Sequence, residues 1–181
     1  MKQPSEILIN IKLCEQDELK NDCVPACVKS IIDTLYSNNK ISKTKICKLM
    51  KHSVKRGTPL ENCINLNRFL STKNIGLSFT TPEKIESKLI EWQNIKEKLA
   101  SGFPVICLVN REALIDRERR GDNNLHAIVV AGCDTDTIKY FDPLILNSNS
   151  EESVTQHKFN VAWKSAYKGV LFVGKEEQAR L

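Results

Sequence analysis

The strongest constraint on the fold is where the chain changes character. Pro104-Val-Ile-Cys-Leu-Val109 and Ala127-Ile-Val-Val-Ala131 are short, β-branched and almost wholly apolar, and turn residues bound both. That is the pattern of buried strands. Ile138 to Phe141 and Gly169 to Val173 read as two more. The N-terminal half carries helical spacing instead. Val28, Ile31, Ile32 and Leu35 follow i, i+3, i+4, i+7 within a helix expected over residues 23–37, with Asn21 or Asp22 as cap and Pro25 in the first turn. Further helices are expected over 42–52, from a Thr58/Glu61 capping box to Gly76, and over 84–100. Residues 7–14 read as a first strand. Helices first and strands later predict an α+β fold with an antiparallel sheet.

At 181 residues the chain is long enough to bury one core, and nothing divides it, so residues 1–181 are expected to form a single domain. No apolar run approaches a membrane span, and the N-terminus lacks a signal-peptide core. Seven cysteines, an odd number without paired metal spacing, point to a reducing cytoplasm; secretion as an effector without a signal peptide is the alternative. No cofactor is expected.

Net charge is +5, and much of the excess is local: Lys40, Lys43, Lys45, Lys48, Lys51, Lys55 and Arg56 stand in a stretch without an acidic residue. An acidic partner could use segment 40–56. A solvated helix face is the better reading, because Ile46, Leu49 and Met50 provide an inward stripe and no aromatic residue is interleaved for base stacking. No nucleic-acid partner is therefore expected.

Cys23 opens the first predicted helix, where free amides and the helix dipole favour a thiolate. Cys27, one turn on, lies nearer the apolar face and reads as packing, as do Cys47, Cys63, Cys107 and Cys133. Of three histidines, His126 opens a hydrophobic strand, while His52 and His157 read as surface residues. A hairpin symmetric about Asp134 sets residue 126 opposite residue 142, which brings His126 and the carboxylate of Asp142 to one side at about 5 Å. A one-residue slip would turn Asp142 away. The side chain of Gln16 and the amide of Cys23 are candidate oxyanion donors. The charged stretch 110–125 leads into His126 and is expected to border the cleft; its mixed charges express no preference.

The run Gln16 … Asn21-Asp-Cys-Val-Pro-Ala-Cys27 resembles the nucleophile region of the papain-like family that includes double-glycine, or bacteriocin-leader, peptidases. His126-Ala-Ile-Val-Val-Ala-Gly and Tyr140-Phe-Asp-Pro143 are similar to that family's histidine and aspartate-proline strands. Gly57-Thr-Pro-Leu-Glu-Asn, Leu99-Ala-Ser-Gly-Phe-Pro-Val-Ile and Phe159-Asn-Val-Ala-Trp163 … Gly169-Val-Leu-Phe match in the same order. The resemblance implies a papain-like fold, a bacterial source, Cys23 as nucleophile, His126 as base and acid, Asp142 orienting it, and Gln16 in the oxyanion hole. Val24 replaces the glycine that commonly follows the nucleophile, and Gln16 stands one residue farther from it than usual. The exporter that often follows such domains is not seen, so a free-standing peptidase is expected. It would act on a peptide or amide bond through an acyl-enzyme. The alternatives are an acyltransferase with the same triad, and a non-catalytic papain-like binding module or effector.

Overall fold

Apolar β-branched runs place the centre of the molecule in a sheet. The computed structural model describes residues 6–17, 20–82, 90–115, 125–144 and 151–176. The strands are β1 (Ile7–Leu8), β2 (Leu77–Thr80), β3 (Val105–Asn110), β4 (Leu125–Cys133), β5 (Thr137–Phe141), β6 (Glu152–Thr155) and β7 (Val170–Lys175). They form one sheet in the order β2-β7-β3-β4-β5-β6, with β1 paired to β4, and all the pairings are antiparallel. The helices are α1 (Cys23–Leu35), α2 (Lys43–Leu49), α3 (Cys63–Thr72), α4 (Trp92–Ala100), α5 (Arg111–Ile115) and α6 (Gln156–Ser165). The fold is α+β, as the sequence pattern predicts.

Both faces of the sheet are covered, which explains why β3 and β4 are apolar without alternation. On one face α1, α2 and α3 bury Val28, Ile31, Ile32, Ile46, Leu66 and Leu70 against Ala127, Val129, Ala131 and Leu171. The small side chains of Ala127 and Ala131 let α1 lie close to β4. On the other face Trp92, Ile95, Leu99, Phe159 and Trp163 meet Val105, Cys107, Val109, Ile128 and Val130. The ring of Phe159 stands 5.7 Å from those of both Trp92 and Trp163.

Three expectations need correction. The first strand ends at Leu8 and does not run to Cys14. Beyond it, backbone amides turn to α1: Lys12 N–H donates to Thr34 Oγ1, and Cys14 N–H to Ser30 Oγ, each at 2.8 Å. Asp17 N–H donates to Asp22 Oδ1, also at 2.8 Å. Asp22, Ser30 and Thr34 lie at multiples of four along α1, so one polar stripe takes the donors that a neighbouring strand would have taken. Next, Thr58 does not cap α3. Its hydroxyl meets His52, a 3₁₀ turn spans Leu60–Asn62, and α3 starts only at Cys63. Finally, β6 and α6 were not anticipated, although Thr155 caps α6 by accepting from Lys158 N–H. For the helix expected over 84–100, residues 90–100 contain α4; 84–89 lie outside the described residues.

The hairpin of β4 and β5 carries an irregularity that decides the site. Near the turn, Cys133 pairs with Ile138 and Gly132 with Lys139; beyond it, Val130 pairs with Tyr140 and Val129 with Phe141. Two steps on β4 match one on β5, which makes Ala131 the extra residue of a β-bulge. A Cβ on Gly132 would stand 2.3 Å from the carbonyl oxygen of Ile7, so this position admits the close approach of β1 only as glycine.

Candidate active site

Cys23 is the first residue of α1 and is buried, with 7% of its surface exposed. The turn before it needs Asn21 at φ +55, a left-handed conformation that asparagine tolerates better than most residues. Asp22 occupies the N-cap position, yet its side chain makes no capping bond. One oxygen accepts from Asp17 N–H and the other pairs with the Lys43 ammonium at 2.9 Å. Lys43 also donates to the Glu15 carbonyl at 2.8 Å. The basic segment is thus not a uniform solvated face: Lys43 turns inward and fixes the lead-in to Cys23, while Lys45 lies over the Phe69 ring.

His52 corrects another expectation. It is half-buried, donating from Nε2 to the Lys20 carbonyl at 2.9 Å, with Nδ1 at 2.9 Å from Thr58 Oγ1. It pins the same loop at Lys20.

His126 and Asp142 meet. Nε2 donates to Asp142 Oδ1 at 2.6 Å, and both side chains are buried. The register that joins them differs from simple symmetry about Asp134. Beyond the bulge, continuing the ladder sets Asp142 opposite Ile128, so His126 is its diagonal neighbour on the same side. The register at the turn, without the bulge, would point Asp142 to the other face.

Asp142 takes Nε2, which leaves Nδ1 as the other ring nitrogen, and Cys23 lies close enough to bear on the imidazole's charge. Burial alone would lower the imidazole's proton affinity. The hydrogen bond to Asp142 and the proximity of Cys23 outweigh it and raise His126 from 6.5 to about 9. Burial likewise acts to raise the Asp142 carboxyl, but His126, the Leu144 amide and Arg111 hold it down at about 2. Arg111 was not singled out from the sequence. Its Nε donates to Asp142 Oδ2 at 2.9 Å. Of the stretch 110–125, residues 111–115 form α5, and 116–124 lie outside the described residues.

Gln16 is anchored by the same strand end, its backbone N–H donating to the Pro143 carbonyl at 2.9 Å. Among the described residues its side-chain Oε1 is buried without a hydrogen-bond partner, a state uncommon in packed interiors that calls for an explanation. Cys27 Sγ, 3.4 Å from the Ala127 carbonyl, ties α1 to β4 beside His126. Burial pushes the thiols of Cys14, Cys27, Cys47, Cys63, Cys107 and Cys133 above their ordinary value. His157 takes no part; it lies on α6.

Among the described residues no helix is long and apolar enough to cross a membrane. No curated protein sequence matches the chain significantly. Solved structures similar to it include a C39-like peptidase from Bacillus anthracis, 15% identical with a TM-score of 0.69, over 97% of this chain and all of that one. The peptidase domain of Streptococcus ComA, a bifunctional ABC transporter of a quorum-sensing pathway, is 18% identical with a TM-score of 0.54, over 92% of this chain and 98% of that one. A double-glycine motif protease from an AMS/PCAT transporter, solved with its leader peptide, is 13% identical with a TM-score of 0.58, over 96% of this chain and 99% of that one. The family model described as "Peptidase_C39 like family" matches residues 8–170. The chain therefore belongs to the peptidase C39-like family and is a cysteine peptidase of papain-like fold.

Proposed function

We propose that the chain hydrolyses a peptide bond through an acyl-enzyme on Cys23, with His126, Asp142 and Gln16 as its other working groups. The observation that carries this reading is the buried imidazole bonded through Nε2 to the Asp142 carboxylate at 2.6 Å, with Cys23 near enough to act on its charge. His126 takes the thiol proton, and the sulfur attacks the carbonyl carbon. The resulting oxyanion is held by the Gln16 amide and the Cys23 N–H. As the intermediate collapses, the C–N bond breaks and His126 gives its proton to the departing amine. Water then attacks the thioester as His126 accepts its proton, the carbon–sulfur bond breaks, and the proton returns to the thiolate. Asp142 stays ionised throughout and fixes the ring so that Nδ1 faces the sulfur.

The substrate is inferred to be a peptide, by analogy with the related protease that holds a leader peptide. Incubating a proteome with wild type and with Cys23→Ala, followed by mass spectrometry of new termini, tests the reading. Cleavages present only with wild type support it. No Cys23-dependent terminus, or new amine adducts in place of free carboxyl termini, overturns hydrolysis.

A further inference from the structure

The carboxylate of Asp142 is shared between two cations. Oδ1 takes His126 Nε2 at 2.6 Å and the Leu144 N–H at 2.8 Å, which leaves Oδ2 for the Arg111 guanidinium at 2.9 Å. The Asp142 side chain is 1% exposed and that of Arg111 24%, so the pair lies at the edge of the site rather than free in solvent. Arg111 reaches it because β3 pairs Val109 with His126 and Asn110 with Leu125. The chain then turns into α5 at the next residue, with Asn110 Oδ1 accepting from Ala113 N–H to hold that turn. Among the described residues, Cys23 and Cys27 from α1 and Tyr140 from β5 also act on the pair. Arg111 brings a fixed positive charge to it.

A cation on the far oxygen does two things. It sets the plane of the carboxylate, so that Oδ1 stays aimed at the imidazole. It also opposes a second positive charge on the near oxygen, and so weakens the hold on the imidazolium. The second effect matters for an acid that must release its proton to an amine, because an imidazolium held too tightly is a poor donor.

We propose that Arg111 is a positioning residue of the Asp142–His126 pair that sets the pH at which the imidazolium discharges. The proposal rests on the catalytic reading of Cys23 and His126. Two measurements separate the two. Titration of the His126 ring by NMR reads the charge coupling whether or not Cys23 is the nucleophile; alkylation of Cys23 by iodoacetamide across pH reads the catalytic use.

Arg111→Gln keeps a hydrogen-bond donor and removes the charge, and Arg111→Met removes both. With Gln the imidazolium is expected to persist to higher pH by about one unit, and the basic limb of Cys23 alkylation to move with it. Arg111→Lys retains the charge and is expected to leave both titrations near their wild-type position. A purely structural arginine would lower thermal stability in all three variants without moving the ring titration. That outcome, or a shift shared equally by the Lys and Gln variants, overturns the proposal. Should Arg111→Gln not fold, the comparison of Met with Lys makes the same decision. If wild-type Cys23 shows no His126-dependent alkylation, the catalytic reading falls, and the ring titration still decides the coupling.

Discussion

Replacing Asp142 by asparagine changes almost no volume and removes one charge, and its effect can be worked from the site. The carboxylate contributes most to raising His126 from 6.5 to about 9 against burial. Without it burial prevails, and the imidazole falls below the free value of 6.5. A drop of about 2.5 pH units, at about 1.4 kcal/mol each, withdraws about 3.5 kcal/mol from the imidazolium. The amide also cannot satisfy both neighbours: to accept from Arg111 Nε it must present its NH2 to His126, which forces the proton onto Nδ1, the nitrogen that should receive the thiol proton. In D142N the imidazolium that would stand beside the sulfur is disfavoured by that amount, a factor of about 300 for about 2.5 pH units. Alkylation of Cys23 at pH 6 should therefore fall about 300-fold, and the gap should close above pH 9. The assay is iodoacetamide labelling from pH 5 to 10, quenched at intervals, with the Cys23 peptide followed by mass spectrometry and circular dichroism confirming the fold. A D142N rate equal to wild type at pH 6 would refute the reasoning. So would an equal loss at every pH, since that would make Asp142 a matter of access and not of charge.

Other outcomes follow from the same geometry. Gln16→Ala should lower kcat by about 100- to 1000-fold with KM little changed, measured on any peptide that wild type cleaves; a change in KM alone would remove Gln16 from the oxyanion hole. Because His126 titrates higher folded than free, its share of stability is whole below pH 6.5 and fades as pH rises through about 9. Urea unfolding should show a loss of about 2 kcal/mol between pH 6.5 and 8.5, absent in His126→Gln. A Cβ at position 132 would strike the Ile7 carbonyl, so Gly132→Ala should cost about 1–3 kcal/mol by displacing β1; an unchanged urea midpoint would show that β1 gives way freely.

The strands β3, β4, β5 and β7 and the helix α1 were legible because burial on a sheet face or a helix stripe leaves a periodic mark in the residues themselves. β6 was not, since Glu-Ser-Val-Thr is short and polar, with one of its residues buried. α6 does carry a sign, with Phe159, Ala162 and Trp163 at helical spacing after a Thr155 cap, but the stronger strand patterns on either side of it dominate that part of the chain. The meeting of His126 with Asp142 was anticipated on a symmetric hairpin that does not exist. Symmetry and bulge both put the two residues on one side, so the right pair came from the wrong register. Arg111 and His52 were beyond reach: each acts through a contact many residues away along the chain, with Asp142 and with the Lys20 carbonyl, and such contacts leave no local period. The polar stripe of Asp22, Ser30 and Thr34 was readable in principle, because hydroxyls on the sheltered side of a helix imply backbone amides to meet them.

The bulge at Ala131 has a bearing on how this hairpin can change in length. Along β4 and β5 the side of the sheet on which Asp142 emerges is a matter of odd and even. Losing Ala131 alone, with the turn pairing kept, removes the extra residue itself and leaves Val130 opposite Tyr140, with Asp142 still on the side of His126. A single insertion between Lys139 and Asp142 that shifts the ladder would exchange the sides of Phe141 and Asp142, sending the ring outward from the core packed under α1 and the carboxylate into it. Changes by two residues preserve the side. The part of β5 beyond Lys139 should therefore accept length variation in pairs and resist it singly.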